Sequence, residues 1–265
     1  MHNAYRLLVI GYWLLSLFSC SHIDENERLI YVPMPQAGRC ILIEDFTGQR
    51  CINCPDATSI VEGLQEEYTA DTIIAVAIHS GPLGVMPSED NPDGLATELG
   101  NTYYDHWECQ YQPVGLIDRS DGLLDKDIWT AKAAWDLQQE SDVNILVDAD
   151  WTEAGNIDIR VQIVGTEGSA TGKLQVWLTE DHITAFQKMP DGTTKANYEH
   201  NHVLRDAVNG IWGEDCTLNE GEVTTFDYSY ALHSGWVPGN MSVIAFLYND
   251  DGVVQVTRKK IEIKK

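Results

Sequence analysis

Apolar and polar positions follow one rhythm up to about residue 140 and another after it. Cys40 to Phe46 is an apolar, strand-like run, and from Ala57 to Tyr68 the residues Ile60, Val61, Leu64 and Tyr68 recur at the spacing of one helix face. Thr72 to Ile78 is a near-continuous run of Ile, Val and Ala, as in a parallel strand buried on both faces. Strand, helix and parallel strand predict a βαβ unit. Between Ser80 and Glu108 the pattern is broken by Gly81-Pro82, Pro87 and the turn Asn91-Pro92-Asp93-Gly94, with a helix predicted over Leu95 to Trp107. Val114 to Asp118 reads as a strand, Ser120-Asp121-Gly122 as a hairpin turn, and Asp127 to Gln139 as a helix through Ile128, Ala131, Trp135 and Leu137.

After Ser141 the helical spacing stops. Strand-like segments follow at 143–151, 156–165, 172–180, 199–205, 222–232, 240–248 and 253–263, several with clean alternation, as in Ile157-Asp-Ile-Arg-Val-Gln-Ile163. Short strands separated by Gly and Asn turns predict a sandwich of immunoglobulin-like type. The expected fold is thus an α/β domain over 38–140 followed by an all-β domain over 141–265.

The first residues add a targeting segment. Arg6 precedes an apolar run from Leu7 to Phe18, about a dozen residues and well short of the roughly 20 that cross a bilayer as a helix. A basic start, a short apolar core and the small residue Ser19 predict a secretory signal peptide over 1–19. Leu17-Phe18-Ser19-Cys20 resembles a lipobox, which implies that Cys20 is acylated and anchors the chain in a membrane, because two or three acyl chains hold where one does not. The acidic stretch after Cys20, within a tether over 20–37, resembles the surface-export signals of some Gram-negative lipoproteins. The expected location is the outer membrane, on its periplasmic or its outer face.

Charge narrows the partners. A net charge of −24, which loses only Arg6 with the signal peptide, repels nucleic acid and anionic head groups. The basic residues that cluster from Arg258 to Lys265 read as guards of a solvated edge strand.

Five cysteines remain once Cys20 carries lipid: Cys40, Cys51, Cys54, Cys109 and Cys216. Export permits disulfides. Cys51-Ile52-Asn53-Cys54 sits where a strand hands over to a helix, so unsatisfied N–H groups and the helix dipole favour a thiolate at Cys51, with Arg50 acting in the same direction. This predicts a partly exposed, nucleophilic Cys51 and a resolving Cys54 buried behind it. A purely structural bridge gains little from closing so short a loop. Zinc has no second Cys pair or His pair at ligand spacing to join.

The same stretch resembles the thioredoxin superfamily over residues 38–140. Asp45 lies six residues before Cys51 in Ile43-Glu-Asp-Phe-Thr-Gly-Gln-Arg-Cys, and Gln112-Pro113-Val114 precedes a strand, a hairpin and a terminal helix. The resemblance implies that Asp45 shuttles a proton for Cys54, that Pro113 is the cis-proline presenting an extended substrate, and that the partners are protein thiols or disulfides of the envelope, with no cofactor. It departs at Arg50, where an aromatic residue is usual, at the Ile52-Asn53 pair, and in the long stretch between Cys54 and Pro113. Glu44-Asp-Phe-Thr-Gly48, Cys51-x-x-Cys54-Pro55 and Tyr198-Glu-His-Asn-His-Val-Leu-Arg205 also resemble a family of outer-membrane lipoproteins of a twenty-eight-kilodalton type. That resemblance implies a location and an architecture rather than an activity.

Further candidates carry alternatives. His79 ends the second strand on the side of the Cys pair and reads as a base or as a turn-capping loop histidine. Cys40 and Cys109 are a candidate second disulfide, and Cys216 reads as free. His200 and His202, two apart in a predicted strand, would share a face suited to a metal or to hydrogen bonding. The acidic turns lack calcium-loop spacing, and no phosphate-cradling loop occurs. The competing function is a non-enzymatic surface module in which Cys51 and Cys54 are a staple and Trp151, Trp177, Trp212 or Trp236 bind a protein or glycan.

Overall fold

The structure, a computed structural model, describes residues 38–263; the signal peptide, Cys20 and the tether up to residue 37 lie outside them. The first elements are β1 (Ile41–Thr47), α1 (Cys54–Tyr68) and β2 (Ile73–His79). β1 and β2 pair in parallel from Ile41↔Ile73 to Thr47↔His79, so α1 is the crossover that the periodicity predicts. The chain then runs through α2 (Glu98–His106), β3 (Val114–Ile117), β4 (Leu124–Asp125) and α3 (Lys126–Asp136). α2 starts three residues later than expected because the Thr97 side chain accepts from the Gly100 N–H and caps it. β3 returns antiparallel along β1 with Phe46 opposite Val114, and the Gln112–Pro113 bond that precedes it is cis.

The remaining strands are β5 (Val143–Trp151), β6 (Asn156–Gly165), β7 (Ser169–Glu180), β8 (Ile183–Lys188), β9 (Thr194–His200), β10 (Val203–Ala207), β11 (Glu214–Asn219), β12 (Val223–Ala231), β13 (Met241–Asn249), β14 (Gly252–Lys260) and β15 (Glu262–Ile263). The strand expected over 199–205 is two strands. His202, at φ 59°, turns the backbone between β9 and β10, so His200 and His202 do not share a strand face. β8, most of β9 and β11 have no counterpart among the expected segments.

Among the described residues a nine-stranded sheet runs β14-β13-β7-β10-β2-β1-β3-β4, with β11 added to β7. It therefore crosses residue 140: Val203 of β10 sits opposite Ala77 of β2. A four-stranded sheet, β12-β6-β5-β15, packs against its far half. Between them Ile145, Ile157, Val161, Leu174, Val176 and Leu218 are buried, the inward positions of the alternating strands. In the near half, Ile41, Ile43 and Ala75 point to one face under α1 and α3, where Val61, Leu64 and Trp129 meet them. Leu42, Phe46, Val76 and Ile78 point to the other face, beside Tyr103 of α2 and Trp177 of β7. Arg39 hydrogen-bonds the Val253 carbonyl of β14 and the Asp118 carboxylate, tying the first described residues to the last strands.

Candidate functional site

Gly48 ends β1 against the 81–84 turn. A Cβ there would meet the Leu83 carbonyl carbon at 2.4 Å, so only glycine allows the approach. The chain turns through a Cys51 N–H to Gly48 carbonyl bond, and Cys54 opens α1 with Pro55 in the first turn, where no N–H is needed. Cys51 and Cys54 are joined by a disulfide. Each is 2% exposed, so the expected partial exposure of Cys51 is not found; Ile52 between them is 47% exposed.

Alternation along β1 sends Asp45 to the α1 side and Glu44 to the other. Asp45 lines a cavity of about 30 Å³ together with Cys54, Thr58, His79, Gln187 and His200, room for about one water. Burial pushes its pKa up to about 8, because no cation offsets the loss of solvent. Asp45 Oδ1, His79 Nδ1 and His200 Nε2 are buried with no hydrogen-bond partner among the described residues. Asp45 also lines a second pocket, of about 240 Å³, together with Glu62, Gln65, Asp181 and His202.

His79 is a buried residue rather than a turn-capping loop histidine. Its ring meets that of His200 edge-on at 5.1 Å between centroids, and burial, with His200 and Arg205 adding to it, holds its pKa well below the usual imidazole range. Burial likewise lowers His200 to about 4. Both rings are held in the neutral form, each with one donor and one acceptor nitrogen. His202 turns away to Asp181, 3.1 Å from Nδ1 to the carboxylate. No group of three or more ligating side chains that could hold a metal occurs among the described residues.

The side of the disulfide is closed by elements that the sequence did not disclose. The β8–β9 hairpin lies against the Cys51 turn: Gln187 Nε2 donates to the Cys51 carbonyl at 2.8 Å and to the Gly48 carbonyl at 3.3 Å, and the Lys188 N–H donates to the Gln49 carbonyl at 2.9 Å. Gln49 answers with a bond to the Phe186 carbonyl. Gln112, next to Pro113, donates to the carbonyls of Thr47 and Ser80, which brings the Pro113 end of β3 to the same sheet edge.

The remaining candidates lie apart. Cys40, Cys109 and Cys216 are free thiols, so a Cys40–Cys109 bridge is not formed; Cys40 instead faces the Asp71 carbonyl, and Cys109 is buried beneath the sheet with its pKa pushed up to about 12 by burial. Trp177 is completely buried, whereas Trp151, Trp212 and Trp236 are half-buried beside core clusters, and Trp212 lines a surface pocket with Trp107 and Tyr248.

Fold and site together define a sheet-dominated protein with a buried disulfide at the start of a helix, held between its two halves. Residues 100–265 match the profile described as outer membrane protein Omp28, and the chain belongs to that family of envelope proteins. Among solved structures, HBP35 of Porphyromonas gingivalis is similar over 84% of this chain and 76% of its own, at a TM-score of 0.65 and 13% identity, a likeness of fold. A domain of the outer membrane lipoprotein Omp28 from Porphyromonas gingivalis is 31% identical over 47% of this chain and 92% of its own, at a TM-score of 0.36. No curated protein matches the chain.

Proposed function

We propose that this envelope protein is a thiol–disulfide exchange protein, anchored through Cys20, with a thioredoxin-like domain over 38–140 and an immunoglobulin-like sandwich over 141–265. The observation that carries the reading is the placement of Asp45: an unpaired, buried carboxyl sharing a cavity with Cys54, one of the two bridged cysteines. A structural staple needs no acid behind it, whereas a leaving thiolate does. The βαβ order, the bridge at the start of α1 and Pro113 at the same sheet edge support the thioredoxin-like assignment.

In the reductive half-reaction a partner thiolate attacks Cys51 Sγ, a mixed disulfide forms and the Cys51–Cys54 bond breaks. Cys54 departs as a thiolate and takes the proton of Asp45, which a pKa of about 8 keeps protonated at neutral pH. A second thiolate of the partner then attacks the partner's own sulfur in the mixed disulfide and releases Cys51. The N-terminal end of α1 favours Cys51 as an anion. Overall the partner dithiol is oxidised to a disulfide, the protein gains two thiols, and the two protons lost by the partner are matched by the two gained here. The reverse sequence oxidises the protein, and the relative potentials decide the direction.

The 2% exposure of both cysteines favours a second reading, in which the bridge is a staple inside a surface module. Turnover separates the two. The mature chain should oxidise a dithiol peptide or reduce a protein disulfide catalytically when a small thiol couple recycles it, and Cys51→Ser should abolish this. A wild-type rate equal to the uncatalysed rate leaves the staple.

A further inference from the structure

The β8–β9 hairpin stands outside both large sheets. Its strands pair only with each other among the described residues, and from Thr194 to Lys195 and on to Asn197 the outer strand is solvent-exposed. A two-stranded hairpin alone is marginal in water, so what holds this one is its seat. That seat is the Gly48–Cys51 turn.

The contacts at that turn are polar, and an apolar patch adds to them where Ala185 and Ile183 of β8 pack against Leu95 and Val203. Gln187, itself 3% exposed, spends its side-chain N–H groups on the Cys51 and Gly48 carbonyls. Lys188 pairs its backbone N–H with the Gln49 carbonyl, the type of bond by which an added strand joins an edge. His200 rests on His79. Each such bond contributes about 1 kcal/mol net, less than the burial of an apolar side chain such as Ile43, Val61 or Trp129 in the core under α1 and α3.

Attack on a disulfide needs a straight path to one sulfur, and at 2% exposure Cys51 offers none. Yet Ile52 stands 47% exposed between the bridged residues, an apolar anchor beside a covered reactive group. We propose that the β8–β9 hairpin is a displaceable cover, seated on the surface where an extended, cysteine-bearing polypeptide pairs with the carbonyls of Gly48, Gln49 and Cys51. The partner strand takes over the bonds that Gln187 and Lys188 now make, and Ile52 packs against its side chains. The C-terminal half thereby controls access to a disulfide that belongs to the N-terminal half. This rests on the exchange reading for its partner, but the cover itself does not.

The test reads the rate at which the disulfide of the intact mature chain is reduced by excess dithiothreitol. That reaction oxidises the dithiol to its cyclic disulfide and leaves Cys51 and Cys54 as thiols, whether or not the protein is an enzyme. Gln187→Ala and Lys188→Pro should each raise the rate about tenfold, the equivalent of about 1.4 kcal/mol of lost seating, with the unfolding midpoint changed little. Rates within twofold of wild type in both variants overturn the proposal. Hydrogen exchange on the unaltered chain gives an independent reading: the amides of Gln187 and Lys188 should exchange at least a hundredfold faster than those of Ile43 and Ala75, and exchange only through global unfolding overturns the cover as well. Accelerated reduction in the variants, with no turnover on protein disulfides in any of them, would instead remove the exchange reading and leave the cover in place.

Discussion

Glu44 and Asp45, neighbours on β1, send their carboxyls to opposite faces of the same sheet and into opposite company. Glu44 receives two bonds from Arg119, at 2.7 and 2.8 Å, from a guanidinium whose carbon lies 4.7 to 5.9 Å from the rings of Tyr248, Phe246, Trp177 and Trp107. Asp45 has no cation and stands beside Cys54 with a raised pKa. One carboxyl fixes the guanidinium that Arg119 lays against Trp177, Phe246 and Tyr248 of the C-terminal half, and the other is available for chemistry.

Removing the cation from the first should be costly. Arg119→Met leaves the fully buried Glu44 without its counter-charge, and urea unfolding should show a loss of about 3–5 kcal/mol. Adding Glu44→Gln to it should recover part of that loss. A single-variant loss under about 1 kcal/mol would show that the pair is not what joins β1 to the aromatic layer.

Asp45 makes a prediction about pH. A carboxyl whose folded pKa of about 8 lies above its ordinary value of 3.8 holds an extra proton in the folded state between those values. Its contribution to stability is therefore complete below pH 3.8 and is lost as pH rises towards 8, at about 1.4 kcal/mol per unit. Asp45→Asn should abolish that slope, so wild type minus variant should fall across this window and flatten above it. Asp118, raised to about 6, cancels in the difference. Parallel stability curves would mean that Asp45 ionises normally.

The shared sheet predicts cooperativity. Ser141 donates to the Val254 carbonyl, Arg39 contacts the Glu140 carbonyl, and β10 joins β2, so the stretch between the halves is tied down rather than free. Limited proteolysis at 140–142 should be slow, and calorimetry should show one transition with matching van't Hoff and calorimetric enthalpies. Two resolved transitions, or two stable fragments, would mean that the halves fold independently.

For the anchor, Cys20→Ala should release the protein from membranes and abolish labelling by a radioactive fatty acid, because acylation needs the thiol. A wild type that takes up no label would remove the lipid anchor from the account.

Much of this was legible in the chain. Alternation alone placed strands at 143–151 and 156–165 where β5 and β6 lie, since each buries one face and wets the other. The Cys pair announced itself by spacing, and Asp45 by its place in the stretch that resembles the thioredoxin superfamily. The hairpin did not, because Thr194 to Asn197 carries only Ala196 as an apolar residue and, among the described residues, β8 pairs with nothing but β9. Nor could local pattern reveal that Gln187 meets Cys51, or His200 meets His79, across more than a hundred residues. The burial of Cys51 was not legible for the same reason: Gln187, which bonds its carbonyl, comes from the other half of the sequence.

The most direct test of exchange is trapping. In Cys54→Ser a partner disulfide can be attacked by Cys51 but the resulting mixed disulfide cannot be resolved, so complexes sensitive to reductant should accumulate on non-reducing gels. Cys51→Ser should trap none, and Asp45→Asn should slow the resolution step while leaving the first attack nearly unchanged. If neither cysteine variant captures a partner and both lose only stability, the bridge is structural and the exchange function is contradicted.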